Sequence, residues 1–492
     1  MSNTLKFKVP KEVSRVTEEL EKADFEAYLV GGCVRDLLRE KVPKDWDIAT
    51  NAKPDEIVEL FDDTFYNNEF GTVGVVNEQV EDESLKVIQV TPYRLESSYT
   101  DARHPDSVEF GNSLEADLKR RDFTVNALAY SVSQGHLVDL YKGQEDIKDR
   151  ILRAVGKPDE RFAEDALRIL RAIRLSAELS FSIERETEEA IKRTASTLEK
   201  ISMERIRDEL SRILMSKRPM EGLLSAQRLG VLKHFIPDLE RGIGVNQNQA
   251  HKYDVYEHNL RTLQHAADKD WSLDLRLAAL FHDISKPETR RRSEEKNDWT
   301  FHGHDVVGAR LTRKILIGLK YSKKTVDAVV KLVRWHMFFS DPEKITLSAV
   351  RRIIGNVGEE SIWFLMDLRV CDRVGTGRPK ENPYRFRKYK SMVEEALRDP
   401  ISVGMLKIDG NSLMKITNEK SGPKIGYTLH ALLEEVLEDP TLNTKEYLEK
   451  QGKVLIVLPM AELKSLGEKG KVKKDTEEEK KVKEIRGRYW VQ

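Results

Sequence analysis

The sequence predicts an α+β protein, in which a mixed α/β head is followed by segments that are entirely helical. Two patterns support this prediction. Between residues 25 and 138, short β-like runs alternate with helical patterns, and from about residue 158 onwards apolar residues recur mostly at helical spacing. The chain has 492 residues, of which 39% are hydrophobic, so about three to four domains are expected rather than one core.

The predicted elements of the head are five strands and one helix. The strands are Ala27–Val30, Trp46–Ala49, Gly71–Val76, Leu85–Thr91 and His136–Leu140, and the helix spans Pro54–Phe61. The helical patterns that follow cover Ile183–Ile201, Glu204–Met215, Pro219–Phe235, Leu275–Phe281 and Ile362–Val370.

Charge and cysteine content narrow the classes of function. Charged residues make up 34% of the chain, yet the formal net charge is only −1, so a nucleic-acid partner requires positive charge that is segregated onto one surface. Cys33 and Cys371 are the only cysteines and are far apart in sequence, which predicts no disulfide framework and no zinc cluster. Residues 1–11 contain no apolar stretch of a signal peptide, and no run of about 18 apolar residues occurs, so the expected location is the cytoplasm, away from membranes.

The segment from Tyr28 to Asp36 predicts a phosphate-binding turn. An apolar run meets Gly31 and Gly32 and is followed by a helical run, which is the pattern of a strand, a tight turn and a helix N-terminus. Small residues let backbone N–H groups approach an anion, and Arg35 adds a cation in the first helical turn. Two glycines after a strand are often only a turn, and that alternative stays open for this segment alone.

Asp45 and Asp47 form a candidate metal-binding pair. In an extended segment, residues i and i+2 lie on the same face, which places the two carboxylates side by side. Such oxygen ligands suit Mg²⁺ ions that align the attacking and leaving oxygens of a phosphoryl transfer. The alternative is a solvated strand edge.

Together, the turn and the acidic pair resemble the head of the nucleotidyltransferase superfamily that is shaped like DNA polymerase beta. The longer string LVGGCVRDLLREKVPKDWDIATNAKPDEI resembles class II tRNA nucleotidyltransferases (CCA-adding enzymes) and the related bacterial poly(A) polymerases. This resemblance implies a polymerase-beta-like head, with Gly31, Gly32 and Arg35 on the triphosphate and Asp45 and Asp47 on Mg²⁺.

Two features of the head bear on that resemblance. The related enzymes commonly have Glu before the Val-Thr of the strand LKVIQVT, whereas this chain has Gln89, so the residue that supplies a third metal carboxylate is not identified. The polar segment Arg94–Pro105 predicts a mobile loop and resembles the flexible loop of enzymes that add CCA or only the final A.

Two arginine-rich strings resemble the nucleotide-binding motifs of the same family. Lys119–Ala127 places three cations before an apolar helical run, which by charge alone favours a basic surface, but it resembles the family's RRDFT-x-NA motif, in which Arg121 contacts the incoming nucleotide. In EDALRILRAIR, arginines recur at every third position among apolar residues. A surface helix stabilised by pairs such as Asp165 with Arg168 is the alternative. The match to the EDxxRxxR motif implies a nucleotide pocket formed by Asp165, Arg168, Arg171 and Arg174.

A second set of chemical groups follows. His258 lies in a helical run, His282 and Asp283 end another helix, and Asp372 follows a third. Imidazole with carboxylate is a recognised ligand set for divalent metals, although a single histidine at a helix end is usually structural. The order H…HD…D resembles the HD phosphohydrolase superfamily.

The resemblance of LAALFHDISKP and FHGHDVVGA to the HD body of some bacterial tRNA nucleotidyltransferases implies a site for a divalent transition metal or Mg²⁺. His304 and His336 fall where HD proteins often have extra ligands, so the resemblance also allows a second metal ion. The alternative is an HD scaffold that binds no metal.

The sequence therefore predicts template-independent addition of CCA to the tRNA 3′ end from CTP and ATP. The alternatives are an enzyme that adds only the final A, a poly(A) polymerase, and an HD phosphohydrolase whose head only binds RNA. The oligomeric state is not predicted. The expected domains are a head (1–157), a helical neck (158–245), an HD domain (246–395), a helical tail that binds tRNA (396–460) and a charged extension (461–492), for which the mixed charges favour a solvated or disordered state.

Overall fold

The computed structural model of the protein describes residues 6–66, 71–96, 108–111, 113–247, 251–295, 297–338, 343–398 and 402–491. Contacts divide the chain into two compact units, the first comprising Met1–His336 with Cys371–Pro379 and the second Met337–Val370 with Lys380–Gln492. Most of the predicted loop at Arg94–Pro105 lies outside the described residues.

The strands are β1 (Ala27–Val30), β2 (Trp46–Thr50), β3 (Thr64–Tyr66), β4 (Val73–Val76), β5 (Val87–Pro92), β6 (Arg94–Glu96), β7 (Val108–Phe110), β8 (Leu128–Ser131), β9 (His136–Asp139), β10 (Ile151–Leu152), β11 (Ser182–Ile183), β12 (Arg291–Ser293) and β13 (Asp298–Thr300). The α-helices up to residue 335 are α1 (Lys11–Lys22), α2 (Gly32–Leu38), α3 (Pro54–Leu60), α4 (Leu114–Lys119), α5 (Gly143–Asp149), α6 (Pro158–Glu164), α7 (Leu167–Leu179), α8 (Arg185–Thr194), α9 (Met203–Met215), α10 (Pro219–Arg228), α11 (Pro237–Glu240), α12 (Val255–Asp268), α13 (Leu273–Phe281), α14 (Lys286–Thr289), α15 (His304–Gly318) and α16 (Lys323–Trp335).

The remaining helices are α17 (Leu347–Val357), α18 (Glu359–Gly375), α19 (Tyr384–Leu397), α20 (Gly410–Thr417), α21 (Pro423–Glu438), α22 (Lys445–Ile456) and α23 (Met460–Arg488). Short 3₁₀ helices span Thr124–Asn126, Ala195–Lys200, Leu232–His234, Val403–Met405 and Pro440–Leu442.

The head is built on a seven-stranded sheet of order β3-β4-β5-β2-β1-β8-β9. β1 pairs antiparallel with both β2 and β8, while β2 pairs parallel with β5. Apolar side chains of α1, α2 and the sheet form a common core that includes Val16, Cys33 and Ile48. The predicted α+β class is confirmed, and the sheet fixes the strand that carries Asp47 between two neighbours.

Most predicted elements of the head are found with small shifts at their ends, as is usual for boundaries set by caps rather than by apolar pattern. The apolar run predicted as helical after Arg121 is an exception. It forms the 3₁₀ turn Thr124–Asn126 and then β8. Every residue from 122 to 131 is buried, and the apolar stretch 127–130 has no periodicity that could separate a strand from a helix.

The predicted helix Ile183–Ile201 is likewise divided, into α8 and the following 3₁₀ helix. The C-terminal segment also differs from the expectation of a solvated or disordered extension. It forms α23, which packs along α21 through small residues, since a Cβ on Gly467 would lie 2.8 Å from the Tyr427 Cα. Leu463 and Ile485 are buried, so a few well-placed apolar residues bind a helix whose composition is otherwise charged.

Both cysteines are buried and free. Burial and the neighbouring Asp47 raise the pKa of the Cys33 thiol to about 12, so this group stays protonated. In the described part of the chain, no helix combines the length and the apolar character that crossing a membrane requires.

Candidate active site and metal centre

Gly31 lies at the turn between β1 and α2, where Asp47 and Arg121 also converge. Its φ of 75° lies in the left-handed region, which favours glycine. A Cβ at this position would lie 3.0 Å from the Arg121 Nη1 and 4.0 Å from the Asp47 Oδ2. The turn therefore needs glycine for its backbone and for the close approach of Arg121, whereas the distance to Asp47 would be an ordinary contact.

The surroundings of Asp47 disfavour its ionised form, which a bound cation would stabilise. Burial and the adjacent Asp45 raise the pKa of Asp47 to about 6, and Arg121 acts in the opposite direction. Asp45 is exposed, directly before β2. In the parallel pairing of β2 with β5, Asp47 lies opposite Gln89, so the amide occupies the position where related enzymes commonly have Glu.

Arg121 is held by the C-terminal part of α4. The carboxylate of Asp117, which is only 1% exposed, accepts hydrogen bonds from the Arg120 Nη2 at 2.5 Å and from the Arg121 Nη2 at 2.9 Å. Burial raises the pKa of Asp117, but the two arginines outweigh it and the net shift is downwards. Asp117 therefore fixes the guanidinium of Arg121 beside Gly31.

A polar network joins the first turn of α2 to α7. The Arg35 Nη1 donates to the Asn126 Oδ1 at 2.8 Å, and the Asn126 Nδ2 donates to the Asp122 Oδ1 at 3.2 Å. The other carboxylate oxygen of Asp122 accepts from the Arg171 Nη2 at 2.6 Å. Although burial opposes it, Arg171 lowers the pKa of Asp122 to about 2. The two arginine-rich strings are thus joined by an ion pair between the buried Asp122 and the partly exposed Arg171.

The other predicted neck residues have protein partners. The Asp165 Oδ2 accepts from the Arg205 Nη2 at 2.7 Å, and the Arg168 Nη2 donates to the Arg120 carbonyl oxygen at 2.8 Å. Arg168 also pairs with Glu164. Arg174 is 8% exposed and its Nε bonds to Glu209 at 2.7 Å.

The structure therefore places Gly31, Asp47 and Arg121 at one point, and ties Arg35, Arg168 and Arg171 to the segment that carries Arg121. Gly32 opens α2, where a Cβ would make only an ordinary contact of 3.6 Å with Arg35. Arg174 is bound to Glu209 of α9 and so cross-links α7 with α9.

The predicted metal centre is also assembled. The His258 Nε2 lies 3.0 Å from the His282 Nε2, 3.2 Å from the Asp283 Oδ2 and 3.4 Å from the Asp372 Oδ1. Nitrogen and oxygen donors at about 2.1 Å from one divalent ion lie about 3.0–3.4 Å apart. The four predicted ligands are therefore spaced as a coordination shell.

A second group of ligands faces the other oxygen of Asp283. The Asp283 Oδ1 lies 3.3 Å from the His304 Nε2 and 3.5 Å from the His336 Nε2, and these two nitrogens are 3.1 Å apart. Both rings donate Nδ1–H to carbonyl oxygens, at 2.6 Å to Phe301 and at 2.7 Å to Val333. In the neutral rings the facing Nε2 atoms then carry lone pairs, which repel unless a cation lies between them.

The pKa values of His282 and Asp283 also indicate that this cluster attracts positive charge. Burial lowers the pKa of His282, but Asp283 and Asp372 outweigh it and raise this pKa to about 10. Burial raises the pKa of Asp283, whereas His282 and Lys286 hold it well below its usual range. Among the residues that the structure describes, none is a hydrogen-bond partner of the buried His258 Nδ1. The donor set fits divalent metal ions, and one oxygen of Asp283 faces each group of histidines.

Sequence reasoning missed several groups that complete these sites. His251 offers a ligand atom beside His258 and Asp283, and the Lys286 Nζ lies 2.5 Å from the Asp283 Oδ2. Asp122 and Asn126 were within a recognised string, but only the fold reveals their partners. The short spacing from His251 to His258 was the one available signal for His251.

Three models of protein families match parts of the chain. "Poly A polymerase head domain" matches residues 27–153, "Probable RNA and SrmB- binding site of polymerase A" matches residues 180–243, and "HD domain" matches residues 255–376.

The chain is also similar to named relatives. It is 33% identical over 447 residues to a CCA-adding enzyme of Leuconostoc mesenteroides, an alignment that covers 89% of this chain and 94% of that protein. It is 46% identical over 209 residues to a CCA-adding enzyme of Ligilactobacillus salivarius, of which it spans 50%, with 42% of this chain aligned.

Solved structures share the fold. The Bacillus stearothermophilus CCA-adding enzyme in complex with CTP aligns with a TM-score of 0.59 and 25% identity, over 91% of this chain and 99% of that chain. The Thermotoga maritima CCA-adding enzyme complexed with tRNA aligns with a TM-score of 0.52 and 20% identity, over 91% of this chain and 96% of that chain. At this level of identity, the similarity shows the shared fold alone. With full-length similarity, an assembled head site and an HD cluster, the chain belongs to the CCA-adding enzyme family.

Proposed function

We propose that this protein adds C, C and A to the 3′ end of tRNA from CTP and ATP without a nucleic-acid template. The convergence of Gly31, Asp47 and Arg121 at the end of β1 carries this proposal, because it places a metal ligand and a cation at one glycine turn. In each cycle the RNA 3′ hydroxyl attacks the α-phosphorus of the nucleotide, and pyrophosphate leaves.

Asp45 and Asp47 would hold Mg²⁺, which supplies charge neutralisation and alignment for this displacement. At pH 7 and above, Asp47 is ionised because its pKa is about 6, and it can act as a ligand. Gln89 faces the same side of the sheet as Asp47 and offers a neutral carbonyl oxygen. The ligand set would then carry one negative charge fewer than with Glu at this position.

Gly31, Gly32, Arg35 and Arg121 would contact the triphosphate, and Arg171 and Arg174 would support the pocket. Asp165 and Arg168 would select the base. A carboxylate only accepts hydrogen bonds and a guanidinium only donates them, which suits the exocyclic amine and ring acceptors of cytosine and adenine. Uracil and guanine present a carbonyl instead of that amine. Both side chains have protein partners in the structure, so the incoming base would exchange with Arg205 and with the Arg120 carbonyl.

The domain assignment accompanies this function as part of the proposal. The head (1–157) carries the chemistry, the neck (158–245) selects the nucleotide, the HD domain spans 246–395, the tail (396–460) binds tRNA, and the segment 461–492 extends it. Buried, free thiols at Cys33 and Cys371 support a location in the reducing cytoplasm.

The deciding assay presents three tRNA substrates, ending before CCA, after the first C and after CC, with each labelled nucleotide in turn. Addition of C to the first two and of A to the third supports the proposal. Extension of only the third identifies an A-adding enzyme, and repeated addition of A identifies a poly(A) polymerase.

A second activity is favoured by Asp283, whose two oxygens face two separate groups of histidines. We propose that the HD cluster binds divalent metal and hydrolyses a phosphate ester, such as a phosphomonoester or a 2′,3′-cyclic phosphate. Metal analysis of the purified protein tests the binding, and phosphate release from such substrates tests the activity. If hydrolysis is the only activity and no nucleotide is added, the head serves only to bind RNA and the first proposal is wrong.

A further inference from the structure

A cationic cavity lies away from both sites described above. Its volume is about 1060 Å³, and it is lined where α2, α5 and α7 end and before α10 begins. The lining contains the cationic residues Arg39, Lys41, Lys148, Arg150, Lys217 and Arg218. The carboxylate among the lining residues is Glu178, which is already bound to Arg174 at 2.9 Å.

The cavity is separate from the transferase site. Gly31 lies at the start of α2, whereas Arg39 caps its end. Along α7, the motif that holds Arg168 is at the start, and the cavity is at the end after 13 residues, which corresponds to about 20 Å. A ligand in the cavity would therefore not occupy the nucleotide site.

Helix C-termini explain only part of the positive charge. Each terminus carries about half a negative charge, so three of them offset about 1.5 charges. Arg39 serves this purpose, since its Nη2 donates to the Leu179 carbonyl oxygen, and it also pairs with Asp36 at 3.7 Å. Arg218 pairs with Glu221.

In the part of the chain that the structure describes, the other four cations have no carboxylate partner, although Lys148 lies in the last turn of α5 and Arg150 caps that helix. Lys41, Lys148, Arg150 and Lys217 are exposed, and among the described residues none of them has a carboxylate at ion-pair distance. They come from the loop after α2, from α5 with its cap, and from the loop before α10, yet they line one concavity. In a protein whose formal net charge is −1, these four cations exceed the roughly 1.5 negative charges of the three helix C-termini, so the cavity is a local concentration of positive charge.

We propose that this cavity binds backbone phosphates of the tRNA substrate, at a position distinct from the 3′ end. This inference rests on the proposed function. Lysine and arginine side chains that line a concave surface suit an RNA backbone, whose phosphates bind through charge and release counterions. The cavity supplies the segregated positive charge that an RNA-binding protein of nearly zero net charge requires.

The test is a triple charge reversal, Lys41→Glu with Lys148→Glu and Lys217→Glu. None of these residues belongs to the catalytic or nucleotide-binding machinery. We expect tRNA binding to weaken about tenfold or more at about 0.1 M salt. The plot of the logarithm of the association constant against the logarithm of salt concentration should also become less steep, by about one to three units of slope. The KM for CTP at saturating tRNA should stay near its wild-type value. The corresponding glutamine variant should show a smaller loss in the same direction.

A matched control reverses Lys6, Lys8 and Lys11, which are also exposed and lie in the head. This control changes the net charge by the same amount and should keep tRNA affinity within about twofold. Circular dichroism and thermal melting confirm that each variant is folded.

Two results would overturn the inference. One is wild-type tRNA affinity in the folded pocket variant, when the wild-type protein binds and extends tRNA. The other is weaker binding of CTP or pyrophosphate with unchanged tRNA affinity, which would identify a site for small phosphate compounds. If the wild-type protein binds tRNA through the cavity but adds no nucleotide, only the proposed transferase function fails.

Discussion

Replacing Asp47 with Asn should stabilise the metal-free head while it abolishes catalysis. Burial and Asp45 raise the pKa of Asp47 from 3.8 to about 6, so the ionised carboxylate destabilises the folded head at neutral pH. At 1.36 kcal/mol per pKa unit, this penalty is up to about 3 kcal/mol. Asparagine has nearly the same shape and no charge, and it removes the penalty.

The pH dependence gives the sign of the effect. Because the folded-state pKa lies above the unfolded-state value, the folded head binds more protons between about pH 4 and 6, and wild-type stability falls as pH rises through this window. The advantage of the Asp47→Asn variant should therefore be roughly half developed at pH 5 and complete at pH 8, at about 3 kcal/mol.

Hydrogen–deuterium exchange of the amides in β1 and β2 measures this stability within the head, where a whole-chain unfolding curve would mix several domains. The matched control is Asp62→Asn in an exposed loop of the head, which should change nothing. Added Mg²⁺ should stabilise the wild type and not the Asp47→Asn variant. Equal protection of variant and wild type at pH 8 without metal, or an advantage that does not grow between pH 5 and pH 8, would refute the reasoning.

Three further changes test the separate parts of the protein. Asp45→Ala should abolish incorporation of both CTP and ATP and leave tRNA affinity nearly unchanged, because it removes a proposed metal ligand. Turnover within about tenfold of wild type would contradict that role. His282→Ala combined with Asp283→Ala should remove bound metal and any phosphate-ester hydrolysis but retain nucleotide addition, and a folded double variant without transferase activity would show that the sites are not independent. Asp165→Ala should raise the use of UTP or GTP relative to CTP, since an unmet buried polar pair costs about 1–3 kcal/mol, and an unchanged preference in competition assays would place base selection elsewhere.

The local sequence was sufficient for the head elements in which backbone and side-chain requirements coincide. Gly31 has a positive φ and also makes way for Arg121, so its place after an apolar strand was informative. Prediction from the local sequence failed where a segment is completely buried. The run after Arg121 is buried on every side, its polar residues included, and the strand conformation of its second half follows from its place between β1 and β9.

The C-terminal segment illustrates the opposite error. Its composition favours a solvated chain. The close approach of α23 to α21 depends on the positions of Gly467 and Gly470, which composition does not contain. A helix with few apolar residues can still pack when those residues and its glycines fall on one face.

By itself, the sequence determined the residue types that chemistry needs and their order: a glycine turn, an acidic pair, arginines at helical spacing and an H…HD…D series. Only the tertiary structure decided their partners. Asp47 faces Gln89 through strand register, Asp122 binds Arg171 across 49 residues, and His251 joins a cluster whose other ligands come from several helices. The physical reason is that residue type fixes what a group can bind, whereas pKa values, ion pairs and metal geometry depend on distances of a few ångströms between groups that are remote in the chain.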